Sequence, residues 1–461
     1  MGTLTSRQGA PVDGAAIDAL ASGLAGRAIR PGDADYEQAR RIWNAAIDRR
    51  PGLIVRVRGT ADVVEAIRFA RAHDVRVTVR GGGHNVAGRA LCDDGLVVDL
   101  SDMRAVIVDP ATRTVRVQAG ATLGDLDRET HAHGLAVPAG VVSATGIAGL
   151  TLGGGVGWLV RRHGLSCDNV LAMTLVDAEG AVLTASADER PELFWALKGG
   201  GGNFGVVTDF TFRAHPVTTV LGGMLVWPRD RAADVLRFYR DFMARAPEEL
   251  TCYCALATSP EGMPIVAGLA CWSGEIARGE EVLAPLRGFG PPVADMIEPM
   301  PFPAMQRILD GAFPDGAHNY WRSSFVRGLT DAVIDSIVDF GGRMASPLSA
   351  VLVEYYGGAA GRVDPASSAF AQRAADYNIG MTAQWLDPAE SAAHVAWARA
   401  FHAAIEPHAH GGILLNFSSE VGDAEVQAAF GDHYARLAEV KRRYDPSNFF
   451  SQDLNLRAAA A

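Results

Sequence analysis

Three glycine clusters constrain this chain more than any other feature: Gly81-Gly82-Gly83, Gly153-Gly154-Gly155 with Gly157, and Gly199 to Gly202 with Gly205. A residue without a Cβ lets the backbone turn through positive φ, or lets N–H groups come close to a phosphate. Each cluster alone is therefore either a tight packed turn or a ligand loop, but three in one chain point to one large ligand wrapped by several loops. The first is delivered by a strand, because Val75, Val77 and Val79 alternate with Arg76, Thr78 and Arg80 and run into Arg80-Gly81-Gly82-Gly83-His84-Asn85. The others fail the nucleotide fingerprints. No Lys-Ser or Lys-Thr follows Gly157, which excludes a P-loop, and Gly200 to Gly205 leads into the strand Val206-Val207, whereas a dinucleotide fingerprint opens a helix.

The chain has 461 residues, enough for two domains at roughly 150 residues each. A helix is predicted over 61–73 behind Thr60, then short strands over 96–100, 106–108 and 115–117. Thr122 and Asp125 form a capping-box-like start for a helix over 123–133, which stops at Gly134. Two strands flank Ala178-Glu179-Gly180, another covers 206–212, and a boundary falls near Pro216. Beyond it the predicted helices cover 232–246, 329–340 and 389–405, and the predicted strands 250–257, 265–272, 350–356 and 377–385. One last helix is expected over 424–444, with a frayed alanine-rich end after it. Strands and helices mixed without strict βαβ alternation favour an α+β fold.

Charge and cysteine content remove several functions. Lys plus Arg is 42 against 53 Asp plus Glu, a net −11, the wrong sign for a sequence-independent phosphate binder. Apolar runs such as Ile147 to Leu152 fall far below the ~20 residues of a membrane span. Residues 1–25 lack a basic region followed by a continuous apolar one, so the expected location is the cytoplasm. Five cysteines, at 92, 167, 252, 254 and 271, include no Cys-x-x-Cys pair, so neither a disulfide framework nor a zinc knuckle is expected. Any functional cysteine acts alone. His408 and His410 lack Cys or carboxylate neighbours at zinc-like spacing and read as a solvated loop, and no metal is expected.

The combination resembles the berberine bridge enzyme-like oxidases of the vanillyl-alcohol oxidase superfamily. It rests on Arg80 to Asn85, on Gly149-Leu150-Thr151-Leu152-Gly153-Gly154-Gly155-Val156-Gly157, on Gly164-Leu165-Ser166-Cys167-Asp168-Asn169, on Gly199 to Gly205, and on Tyr444-Asp445-Pro446 with Asn448 and Phe450. Asn319-Tyr320-Trp321-Arg322-Ser323 extends it into the middle of the chain. The resemblance implies a two-part PCMH-type FAD-binding domain, from residues 1–216 and 412–461, and a substrate domain over 217–411 with an antiparallel sheet backed by helices. It implies FAD attached twice, through His84 and Cys167, with Arg80, Gly81, Gly82, Gly83, Asn85, Gly149, Gly153, Gly154, Gly155, Gly157, Gly202, Asn203, Gly205, Asn416 and Asn455 around it. Val170 falls where the family places the residue that governs oxygen access, and its small size suggests an oxidase yielding hydrogen peroxide.

The resemblance breaks where the substrate reacts. The family's Tyr-x-Asn reads Leu414-Leu415-Asn416, a position that often carries Gln or an acid reads Gly380, and the terminal Asn-Gln-Asn reads Asp453-Leu454-Asn455. A replacement base is sought on the middle strands. Glu354 and Tyr356 share a strand face by the period of two, with Tyr355 opposite, and Tyr377 lies on the next strand with Asn378 on its other face. The expected reaction is hydride transfer to flavin N5 from a small-molecule alcohol, a sugar, glycoside or polyketide-like secondary metabolite, with O2 as the second substrate. The alternatives are oxidation of a C–N bond and a flavin-bearing binding protein without redox turnover.

Overall fold

The computed structural model describes residues 2–451 and 454–456, so Asp453 and the alanine-rich end lie outside the described residues. Two small sheets build a first unit. In one, the strands run Arg27–Ile29, Leu53–Arg56, Leu96–Asp99, Val77–Arg80, the last three parallel. In the other, five antiparallel strands run Val106–Asp109, Thr114–Gln118, Val206–Arg213, Val170–Val176, Val182–Ser186. Both bury their apolar faces in one core, which Leu415, Val426, Phe430, Leu437 and Phe449 also enter. The C-terminal stretch thus completes the core that the N-terminal stretch begins.

The chain leaves this unit after Arg213 and enters an eight-stranded antiparallel sheet at Thr219. Its central order is Thr219–Pro228, Pro264–Trp272, Leu250–Thr258, Ala350–Tyr355, Tyr377–Trp385, His318–Val326. The helices Ala232–Met243, Asp331–Gly342 and Ser391–Ile405 carry Leu236, Ile337 and Phe401 into the core on one face of this sheet. The opposite face turns to the first unit: Tyr253, Ala255, Leu269, Phe325 and Tyr356 share a buried cluster with Trp158, Leu165 and Cys167. Helices on one side and cofactor-type loops on the other leave this face as the wall of a site.

Two sequence expectations need correction. The alanine-rich pattern over 424–444 is two helices, Asp423–Phe430 and Tyr434–Tyr444, because Gly431 adopts φ +50° and turns the chain between them. Residues His318–Val326, read only as a family-like sequence, form a nine-residue strand. The Thr122 capping box is present as expected: the Thr122 hydroxyl accepts from the Asp125 N–H while the Asp125 carboxylate accepts from the Thr122 N–H.

Candidate active site

The first glycine loop is tight for a local reason. A Cβ on Gly82 would lie 2.5 Å from the Gly146 nitrogen, and one on Gly146 would strike Gly82 in turn, so the two loops meet backbone to backbone. Gly83 turns through φ +67°. His84 then stacks on Trp43, ring centroids 4.3 Å apart and 13° from parallel, and Trp43 meets Trp321 of the long sheet edge-on at 5.3 Å. The His84 Nε2 is shielded from solvent and has no partner. Burial pulls its pKa down to about 4, opposed by a backbone hydrogen bond and less by the Asp310 carboxylate, so at neutral pH the imidazole is uncharged and keeps a free lone pair.

The second loop is held by the cysteine motif. The N–H groups of Cys167 and Ser166 donate to the carbonyls of Gly154 and Gly155, both 2.9 Å, and those glycines turn at φ +110° and +84°. A side chain on Gly155 would strike Ser166, so this cradle exists only without Cβ atoms. Cys167 is fully buried and its thiol is pushed up to about 12, mainly by burial. Asp168 caps the Leu165 N–H and forms a two-pronged ion pair with Arg373 at 2.6 and 2.7 Å, a partner 205 residues away. Asn416 packs on Gly153 and donates to the Leu150 carbonyl at 3.2 Å.

On the sheet face above these loops, one cross-strand row reads Phe325, Asn378, Glu354, Tyr253, Leu269, Met224. Glu354 is 4% exposed and accepts from the Tyr356 hydroxyl at 2.7 Å and the Asn378 amide at 2.8 Å. Burial raises its pKa and raises that of Tyr356 well above the ordinary tyrosine range. Glu354 forms no ion pair among the described residues, so a buried carboxyl sits in an apolar wall with only neutral donors. The next row, Ser323, Gly380, Leu352, Ala255, Ala267, Val226, is almost free of polar groups, and Leu414 joins the same cluster as Tyr356 and Cys167.

One expected catalytic residue sits elsewhere, and other expected site residues have protein partners of their own. Tyr377 lies on the opposite face of the sheet, packed on Tyr355 at 4.9 Å and Tyr239 at 6.3 Å in the helix-side core, so it does not join Glu354 and Tyr356. Asn203 is fully buried, donates to the Gly200 carbonyl at 2.9 Å and accepts from Lys441 Nζ through its own carbonyl at 2.7 Å. Gly205 lies against the Val176 carbonyl. The 199–205 loop therefore clamps the last helix to the first unit. Arg80 is anchored on the Ala39 carbonyl, and the Asn85 side chain accepts from the Ala87 N–H. His410 accepts from Arg327 Nε at 2.9 Å, and the described residues hold no cluster fit for a metal. The sequence reading missed Trp43 and Arg373, which lie outside the motifs, and it named Trp321 and Asn378 without giving either a role at the site.

The donor set fits a flavin nucleotide. Two backbone cradles that Cβ atoms would fill, an orphaned imidazole nitrogen, a buried thiol, and the unpartnered buried Thr151 hydroxyl and Asn455 carbonyl oxygen are grouped on the first unit. Residues 51–186 match the family model described as an FAD binding domain, and residues 415–457 match the model described as berberine and berberine like. An FAD-linked oxidoreductase of Dictyostelium discoideum is 32% identical over 96% of each chain. The (R)-6-hydroxynicotine oxidase of Paenarthrobacter nicotinovorans is 32% identical over 94% of this chain and 97% of that one. The solved BBE-like 1 of Physcomitrella patens superposes with a TM-score of 0.87 at 25% identity, over 96% of this chain and all of that one. The similarity spans the first unit and the eight-stranded sheet, and no helix among the described residues is long and apolar enough to cross a membrane. The chain belongs to the berberine bridge enzyme-like FAD-linked oxidoreductases.

Proposed function

We propose that this oxidase removes a hydride from a carbon bearing a hydroxyl, with residues 1–216 and 412–461 holding FAD and residues 217–411 presenting the substrate. The observation that carries this is the buried Glu354, held by Tyr356 and Asn378 on the sheet face that shares a cluster with Cys167. His84 and Cys167 attach the flavin, and the glycine cradles at 81–83 and 153–157 receive its backbone-facing parts. Bound there, FAD supplies a two-electron acceptor that O2 restores, with hydrogen peroxide as product. Glu354 takes the hydroxyl proton. Tyr356, whose phenol stays protonated, and Asn378 orient that carboxylate, while Phe325, Leu352, Leu269 and Leu414 exclude water. Val170 begins its strand beside the cysteine motif, and its small side chain governs the access of O2.

Oxidation at a C–N bond has two observations in its favour. Among the described residues Glu354 lacks a cationic partner, which a protonated amine would supply, and a relative similar over nearly its whole length is named for hydroxynicotine oxidation. An anaerobic screen of alcohols, glycosides and amines for flavin bleaching, followed by peroxide release in air, separates these readings from each other and from a protein without turnover. Flavin that leaves the unfolded protein freely after acid precipitation would refute double attachment. Intact mass should instead exceed that of the chain by one FAD, and His84→Ala and Cys167→Ala should each leave one bond.

A further inference from the structure

Trp43 joins the His84 loop to the long sheet. Its N–H donates to the Gly83 carbonyl at 3.3 Å, its carbonyl accepts from the Gly316 N–H at 3.2 Å, and its indole N–H donates to the Phe313 carbonyl at 3.1 Å. The Asn44 side chain repeats the bridge. Its amide donates to the carbonyls of Val86 at 2.7 Å and Asn319 at 2.9 Å, and its oxygen accepts from the Asn319 N–H at 2.9 Å. Residues 43–44 are thus tied on one side to the loop that carries His84 and on the other to the start of the strand His318–Val326. Trp321 of that strand, which meets Trp43 edge-on, is met edge-on in turn by Phe313 and Phe417, both at 5.4 Å. Among the described residues Trp43 is the one aromatic ring paired with the imidazole, whose Nε2 has no hydrogen-bond partner. The χ2 of a histidine is otherwise broad, so the stack on Trp43 sets the plane in which the ring's lone pair points.

We propose that Trp43 is the positioning residue for attachment of the flavin to His84, and that residues 313–321 of the long sheet hold it in that role. This rests on the His84 attachment above and assigns what controls it. The neutral imidazole supplies the electron pair of an N–C bond to a ring methyl of the flavin. The methyl carbon loses one hydrogen as a proton, the imidazole loses the proton of its other nitrogen, and the two electrons pass through the flavin to O2, giving hydrogen peroxide. Trp43 exchanges neither proton nor electron. It fixes the direction of the lone pair, and a displacement of about 1 Å costs such a step roughly 10²-fold. Because Trp43 is anchored from both sides, the His84 loop alone does not fix the imidazole, and attachment waits on the docking of the long sheet.

The test uses the full chain from riboflavin-starved cells, mixed with FAD in air, quenched in acid at intervals and mapped by peptide mass spectrometry for flavin on the His84 peptide. Trp43→Phe keeps an aromatic face, Trp43→Leu and Trp43→Met fill the space without one, and Trp321→Leu removes the edge contact from the sheet. Wild type and Trp43→Phe should attach flavin at similar rates. Trp43→Leu and Trp43→Met should be slower by roughly 10–10²-fold, with the urea midpoint of each chain unchanged, and Trp321→Leu should fall between. Wild-type rates in both the Leu and Met variants of Trp43 would overturn the proposal. So would a loss shared by Trp43→Phe, or one that tracks a lower urea midpoint, which marks a packing role. A wild-type rate in Trp321→Leu would overturn control by the long sheet. A wild-type chain whose His84 peptide carries no flavin removes the attachment itself, and the proposal with it.

Discussion

At Glu354 the electrostatics distinguish two candidate bases that the strand periodicity left equal. A buried carboxyl raised from its ordinary range moves toward neutrality, where a general base works best, while a buried phenol raised further moves away from it. Flavin reduction should therefore rise with pH through a single ionisation above the usual carboxylate range of about 4.3, as Glu354 loses its proton. Glu354→Gln should lower the anaerobic reduction rate by roughly 10²–10⁴-fold and abolish that ionisation. Tyr356→Phe should lower it far less and move the ionisation upward, since the carboxylate loses a donor; stopped-flow profiles of both variants check this. A separate expectation concerns Val170. Val170→Leu adds a methylene in a packed site, so flavin reoxidation by O2 should slow while anaerobic reduction changes little, as double-mixing stopped-flow would report. The motifs around His84 and Cys167 were legible because each is contiguous. Trp43 and Arg373 were not, because each reaches its partner only through the fold. Periodicity placed Glu354 and Tyr356 together, but nothing in a strand's own residues tells which face meets the neighbouring unit, and Tyr377 fell on the other.

Among the elements, the last helix shows how a buried ion pair fixes a segment. Lys441 Nζ reaches Asp445 at 2.7 Å and the carbonyls of Asn203 and Phe450 at 2.7 and 2.8 Å, while Asp445 accepts from the N–H groups of Phe449 and Phe450. Every lone pair and proton of the pair is engaged. Lys441→Met would leave Asp445 buried and uncompensated, so it should destabilise the protein by about 3–5 kcal/mol, measurable as a lower denaturant midpoint and as earlier proteolysis within 412–456. The Tyr444-Asp445-Pro446 motif was readable as a family feature, but its role as a lock on the 199–205 loop was not. The break at Gly431 escaped the periodicity because alanines on either side keep the helical pattern through it, and only the positive φ ends the turn.

For the whole molecule, the crossing between units is built on two neutral histidines. His163 and His215 stack with centroids 3.8 Å apart, and His215 Nε2 bonds the Asn169 side chain at 2.7 Å. Burial pulls them down to about 3 and about 4, with Arg162 beside both and Arg213 and Arg113 facing His215. These values lie below the ordinary histidine value of about 6.5, so at intermediate pH the unfolded chain binds more protons than the folded one. Their contribution to stability is fully present above that value and is lost as pH falls toward 4. His215→Gln keeps a partner for Asn169 and removes one titration, so the drop in urea midpoint between pH 7 and pH 5 should be smaller than in wild type. The α+β class was legible from the mixture of strands and helices. The joining of distant segments in one core was legible only through the family resemblance, since pairing across four hundred residues leaves no local pattern.

That joining has a kinetic consequence. Leu415, Phe430, Leu437 and Phe449 complete the core begun by Leu53, Val98 and Phe210, so a nascent chain that has made the histidine and cysteine loops still lacks the wall that closes around them. The first unit can settle only after residues 434–456 clear the ribosome, following synthesis of the long sheet that interrupts it. Cofactor loading is therefore a late event, and a translating polysome of this chain should carry no covalently held flavin.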